Sequence, residues 1–269
     1  MGRVARWLAF LFLVAAAICG PAQAATVFLE DLTWMELRDE IVAGKTTVIV
    51  PIGGTEQSGP HMALGKHNVR VKALAARIAE SLGNVLVAPV IAYVPEGSIE
   101  PPAGHMRFAG TISIPEAAFE TTLEYAARSF RQHGFRDIVL IGDHGGYQKS
   151  LVKVAAKLNR EWAASPVRVH AVEDYYQATA GGDFAQALKR DGFSAAEIGT
   201  HAGVADTSLM LAVDPRLVRI DRLHDGTPLG AAEGVQGDPR RSSAAAGKSG
   251  VDLTVARTRA AIEKDLQRR

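Results

Sequence analysis

The apolar positions of this chain fall into short runs that alternate with amphipathic stretches. Thr46–Ile52 (TTVIVPI) is continuous and β-branched, as a strand covered on both faces must be. Between Asn68 and Leu82 the spacing turns helical, with Val71, Leu74, Ala75 and Ile78 on one stripe. Val85–Val94 predicts a second strand, Glu116–His133 a helix stopped by Gly134, and Asp137–Ile141 (DIVLI) a further strand. A helix over Gln148–Ala163, a strand over Val167–Val172 and a charged helix over Val251–Leu266 complete the pattern. Strands alternating with helices along one chain predict an α/β fold, a three-layer α/β/α sandwich around a mostly parallel mixed sheet. No internal repeat is visible. Gly226–Gly250, rich in Gly, Ala and Ser, breaks the alternation and reads as an irregular excursion, with disorder as the alternative.

The first residues follow a different rule. In MGRVARWLAFLFLVAAAICGPAQA, Arg3 and Arg6 precede an almost unbroken apolar run from Trp7 to Cys19, and Ala22-Gln23-Ala24 closes it. That order is expected of a signal peptide over residues 1–24, cleaved after Ala24; an uncleaved anchor is the alternative, although the apolar run is short for a membrane span. Ile18 stands where a lipoprotein needs a small residue before its cysteine. The expected product is one domain over residues 25–269, periplasmic or secreted.

Cleavage would leave 245 of 269 residues, and removal of Arg3 and Arg6 takes the formal charge from +1 to −1. Nothing in that balance points to nucleic acid, or to an anionic membrane after cleavage. Cys19 is the only cysteine. The remaining chain therefore has no disulfide and no thiol chemistry, and packing, with metal or subunit contacts, must hold it.

Candidate chemistry collects after the strands, where an α/β sheet places its ligands. PIGGTEQSGPHMALGKHN (residues 51–68) follows the first strand with an acid (Glu56), two imidazoles (His61, His67) and four glycines. Glu and neutral His are ordinary ligands of first-row metals, and glycine lets backbone come close; a glycine-rich turn with incidental polar residues is the plainer reading. Asp143 and His144 lie in IGDHGGYQ after the strand at 137–141. His105 lies in AGHMRFAGT beyond the second strand, and His201 and Asp206 in THAGVADTS just before an apolar helix start. Each cluster alone is a weak signal; their joint position after separate strands is the stronger one. His133, His170 and His224 lack such a setting and read as structural.

In this order the chain resembles the creatininase (creatinine amidohydrolase) family. Gly53–Asn68 is similar to that family's GSxEQHGPHLPLxxD signature, GDHGG to its NGHGGN, GHMRFAGT to an H-x-x-F-x-G-T stretch, and HAGVADTS to HAGExETS. GVQGDP at residues 234–239 echoes a late G-x-x-G-x-P segment. The resemblance implies an α/β/α sandwich, homo-oligomeric, whose members hydrolyse amide bonds of cyclic or formylated compounds at a divalent metal centre. By position it implies Glu56, His67 and His144 as metal ligands. His201, near the substrate, and Asp206, its following acid, fall in catalytic roles. Ser98 and His105 become the substrate-binding candidates. In that family metal polarises the attacking water and a histidine helps the leaving nitrogen. Zinc is the first expectation for the metal, with manganese or iron as alternatives.

The departures narrow this. The family pattern has histidine where this chain has Ser58, and a bridging aspartate where it has His67. A carboxylate can hold two ions with two oxygens, whereas a neutral imidazole offers one lone pair. Both losses together predict a single catalytic metal on a two-histidine, one-carboxylate set. Ser58, His61 and Asp143 are expected behind the ligands, Asp143 orienting His144. Gly146 stands where creatininase proper has a glutamate, and Val204 where the family has an acid, so creatinine is a poor substrate candidate. The expected function is hydrolysis of a small amide, lactam or formamide by a metal-dependent enzyme. The other class consistent with the residues is a retired scaffold that binds a metal or small ligand.

Overall fold

The computed structural model describes residues 26–268, and the leader expected over 1–24 lies outside them. The chain enters through α1 (Trp34–Val42), whose start is closed by Thr33 and Glu36, each side chain taking the other's backbone N–H. It then forms β1 (Thr47–Ile52), α2 (Lys66–Leu82), β2 (Val85–Val87), α3 (Glu116–Gln132), β3 (Asp137–Gly142), α4 (Gln148–Glu161) and β4 (Arg168–Ala171). Five helices follow: α5 (Asp174–Ala180), α6 (Asp183–Arg190), α7 (Ala195–Ile198), α8 (Val204–Val213) and α9 (Ala244–Leu266).

The strands form one sheet in the order β2-β1-β3-β4, with all three pairings parallel. Side chains alternate across it. Val48, Val50, Ile52, Ile138 and Leu140 pack under α3 and α4, whereas Ile49, Val85, Val139 and Ile141 pack under α2, α8 and α9. Burial on both faces explains the unbroken apolar runs of β1 and β3 and makes the three layers. No helix among the described residues is long and apolar enough to cross a membrane.

Two elements differ from the sequence expectation. The strand expected over Val85–Val94 ends at Val87, because Pro89 has no N–H for a ladder; only single bridges from Ile91 to Ile52 and from Val94 to Ser113 continue it. The segment at 226–250 is irregular only as far as Ser243, where that side chain caps α9. Its glycines then serve packing. A Cβ on Gly247 would lie 1.8 Å from the Ser208 carbonyl oxygen, so α9 rests directly on the backbone of α8. Helices α1 and α5 to α7 were not expected from the apolar pattern.

The strand order reverses between β1 and β3: the chain leaves β1 for β2 on one side and returns to β3 on the other. Ile52 is in register with Gly142, so the loops that follow β1 and β3 leave the sheet side by side. A crevice at such a reversal is where an open α/β sheet binds its ligand.

Candidate metal and active site

Four sequence clusters meet in that crevice. The loop after β1 supplies Glu56, the first turn of α2 supplies Lys66, His67 and Arg70, and the loop after β3 supplies Asp143 and His144. The start of α8 and the residues before it supply His201 and Asp206, and a 3-10 turn at Gly104–Arg107 supplies His105. All of these line one cleft of about 600 Å³. A neighbouring cleft of about 420 Å³ shares His105 and His201 as its wall. Tyr147 locks the two loops together: its hydroxyl donates to Gly53 O at 2.6 Å and accepts the N–H groups of Asp143 and His144, each at 3.1 Å.

Glu56 is the centre of the arrangement and is wholly buried. Its Oε1 lies 2.7 Å from His67 Nε2, 3.7 Å from Lys66 Nζ and 3.8 Å from His201 Nδ1. Its Oε2 lies 3.2 Å from His105 Nε2 and 3.7 Å from His144 Nε2, yet has no hydrogen bond of acceptable geometry. Burial disfavours the charge, but the hydrogen bond from His67 and the nearby cations hold the Glu56 carboxyl far below its usual range.

The other acids divide into paired and unpaired. Arg70 binds Asp143 through Nε at 2.9 Å and Asp206 through Nη1 at 2.7 Å. Asp143 also takes His67 Nδ1 at 2.6 Å and the Tyr175 hydroxyl at 2.9 Å, and Asp206 takes Lys66 Nζ and the Ala202 N–H. Burial opposes ionisation of both aspartates, yet Arg70 beside Asp143, and Lys66 with Arg70 beside Asp206, keep them well within the anionic form. Glu96 has no such partner. It is buried on the loop between β2 and α3 with no N–H donor turned to either oxygen. Burial, then the charge of Glu56 and a hydrogen bond shared with it, pushes its carboxyl up to about 9.

The imidazoles have distinct settings. His67 faces a carboxylate with each ring nitrogen. His144 Nδ1 accepts the Gly146 N–H at 3.2 Å and lies 3.5 Å from Glu96 Oε2. His201 Nε2 lies 3.0 Å from Gln57 O and 3.2 Å from Gln57 Nε2; with the proton on Nε2 it donates to the carbonyl and leaves Nδ1 as an acceptor in the cleft. The Gln57 amide is oriented by Gly59 N–H donating to its Oε1, so its nitrogen donates to His105 Nδ1 at 2.9 Å. Burial, first of all, depresses His144 and His201 to about 4, and both are neutral at pH 7.

Of the remaining sequence candidates, His61 is buried beneath the site, donating Nε2–H to Thr207 Oγ1 at 2.9 Å and so tying the first loop to α8. Ser58 is buried and its hydroxyl has no partner. Ser98 stands apart: it is exposed, donates to Glu100 O at 3.3 Å, and does not line either cleft. Reading by motif passed over Lys66, Arg70, Gln57 and Glu96. The first two left one usable trace, since charges at positions 66 and 70 lie one turn apart on the buried side of α2, with His67 and Val71. Glu96, in a Pro-Glu-Gly loop, left none.

The residues fit a divalent cation. A buried carboxylate with an unbonded oxygen and neutral imidazoles around it is a suitable donor set for a first-row metal. Two groups bring one donor atom from each residue within 4.8 Å of the others: Glu56 with His105 and His201, and Glu56 with Glu96 and His144.

A parallel α/β/α sandwich with carboxylates and imidazoles gathered at its strand ends defines a metal-dependent amidohydrolase type of protein. A family model described as creatinine amidohydrolase matches residues 30–262. The chain belongs to the creatininase family. It is 32% identical over 210 residues to the creatinine amidohydrolase of Pseudomonas putida, covering 76% of this chain and 78% of that one. It is 30% identical over 222 residues to the mycofactocin precursor peptide peptidase of Mycolicibacterium smegmatis, with coverage of 75% and 78%. Among solved structures, a mutant creatininase described as the Zn-Zn type superposes with a TM-score of 0.71 at 29% identity, covering 90% of this chain and 99% of that one. A manganese creatininase superposes with a TM-score of 0.72 at 28% identity and the same coverage.

Proposed function

We propose that this protein hydrolyses the C–N bond of a small amide, lactam or formamide with one divalent metal per chain, zinc foremost. The observation that carries this reading is the unbonded Oε2 of buried Glu56, directed at two imidazoles at the floor of an open cleft. A divalent cation held there by Glu56 and His144 supplies Lewis-acid polarisation of the amide carbonyl and of water.

The chain's own residues do the rest. His67, hydrogen-bonded to Glu56, and then Lys66 keep Glu56 anionic, and Arg70 holds Asp143 and Asp206 in place around it. His201, neutral and fixed through Gln57, accepts a proton at Nδ1 and delivers it to the leaving nitrogen. The wall formed by His105 and His201, whose rings are 4.5 Å apart, lets the two parts of the substrate occupy separate clefts. Creatinine is disfavoured by the departures at Gly146 and Val204. Export to the periplasm or medium, supported by the pattern of residues 1–24, and assembly into a homo-oligomer, implied by the resemblance, belong to the same reading.

One observation favours a retired scaffold instead. Lys66 and Arg70 already neutralise much of the buried acidity, so the fold does not depend on a metal for charge balance. The deciding experiment is hydrolysis of a panel of lactams, formamides, small amides and short peptides by zinc-loaded and chelator-treated protein. Metal-dependent turnover of any of these supports the enzyme. Stable metal binding with no turnover across the panel supports the scaffold.

A further inference from the structure

The resemblance places a bridging carboxylate where this chain has His67, and behind the crevice Glu96 is a buried carboxyl group, beside Glu56, to which the chain turns no N–H donor. We infer that Glu96, from the loop between β2 and α3, is a metal ligand together with Glu56 and His144. The inference rests on the single-metal reading above and assigns its donor set.

Three observations carry it. Glu96 is 4% exposed and neither oxygen takes an N–H donor, whereas Asp143 and Asp206 each take several donors. A buried carboxylate to which the chain turns no donor is costly, and a cation shared with Glu56 would supply what those donors do not. Its Oε2 lies 3.5 Å from His144 Nδ1, and donor atoms of Glu56, Glu96 and His144 all fall within 4.8 Å of one another. The backbone makes space for the side chain as well. Gly54 has a φ of +152°, and a Cβ there would lie 2.6 Å from Glu96 Oε1.

The competing sets are less able to bind. His67 directs Nε2 at Glu56 and Nδ1 at Asp143, so neither lone pair is turned toward a cation. The group of Glu56, His105 and His201 has no unbonded carboxylate oxygen besides that of Glu56, whereas Glu96 brings two. Glu96 thus restores by a different loop the carboxylate that position 67 lacks.

The test measures zinc binding, with no substrate. Zinc affinity is determined by competition with a chromophoric chelator for the wild-type chain, Glu96→Gln, Glu96→Asp and His67→Gln. Zinc-edge X-ray absorption on the loaded wild-type chain counts imidazole ligands. Glu96→Gln should weaken zinc by more than about 100-fold, beyond the roughly 10–100-fold usual for a residue that only orients a ligand. Glu96→Asp should recover part of the affinity, His67→Gln should lose no more than the roughly 10–100-fold of a residue that orients Glu56, and the absorption spectrum should show one imidazole. Wild-type affinity in Glu96→Gln, or two imidazoles in the spectrum, would overturn the assignment while leaving a metal enzyme intact. A loss within about 10–100-fold would make Glu96 a positioning residue for His144 and would also overturn it. If the wild-type chain binds no zinc, the metal reading itself fails, and the ligand assignment with it.

Discussion

Lys66 Nζ lies 3.7 Å from Glu56 Oε1 in the buried floor of the cleft, so the protein places its own cation beside its candidate metal ligand. The same ammonium pairs with Asp206, and Lys66 is only 1% exposed. Removing one member of such a buried group leaves the others uncompensated, at a cost of about 3–5 kcal/mol. Lys66→Met should destabilise the metal-free protein by that order in urea unfolding. Zinc should then stabilise the variant more than it stabilises the wild-type chain, because the ion supplies part of the missing charge. An unchanged midpoint would show that Arg70 alone balances the site.

Metal content tests the single-ion reading without a substrate. After dialysis the protein should retain close to one divalent ion per chain by elemental analysis. Glu56→Ala should empty the site, since Glu56 belongs to both groups of donors. Ser58→Ala should change nothing. The double change Ser58→His with His67→Asp should move the content toward two. Two tightly held ions in the unaltered protein would reject the reading.

His201→Ala should lower turnover by about 10²–10⁴ on whichever amide proves to be a substrate, with metal content preserved. The expectation follows from its neutral Nδ1 in the cleft and its fixed Nε2–H. Parallel loss of metal and activity would make His201 a ligand instead.

Acid should destabilise the metal-free protein through His61. Burial, ahead of all other causes, pulls this imidazole down to about 4 from 6.5, and its Nδ1 has no partner. The unfolded chain therefore binds a proton that the folded one refuses between pH 6.5 and about 4. Stability from this group is fully present above 6.5 and falls as pH drops through that window, by about 3 kcal/mol at its end. His61→Gln should lower the slope of unfolding free energy against pH there by one imidazole's share, His144 and His201 keeping theirs. An equal slope in both proteins would assign the acid sensitivity to other groups.

Processing is tested by mass. Protein recovered from the exterior of its native host should begin at Ala25, as the small-x-small ending at residues 22–24 requires. An intact Met1 or a lipid on Cys19 would contradict it.

Local chemistry in the sequence determined the two central strands, β1 and β3. β-branched runs at 46–52 and 137–141 can only be strands covered on both faces, and such strands deliver the loops that follow them to one edge of the sheet. That logic was enough to gather Glu56, Asp143, His144 and His201, because each follows or precedes a strongly patterned element. The tertiary structure decided what each side chain does there. His67 meets Asp143 across 76 positions and Lys66 meets Asp206 across 140, contacts set by strand register and by how α2 and α8 dock on the sheet. No spacing in the chain announces that Ser98 faces away, that two cations lie buried among three acids, or that Glu96 arrives beside His144 from a loop without periodicity. Strand and helix patterns are set by neighbours a few residues away. Ring-nitrogen partners and charge balance are set by residues that only the folded chain brings together.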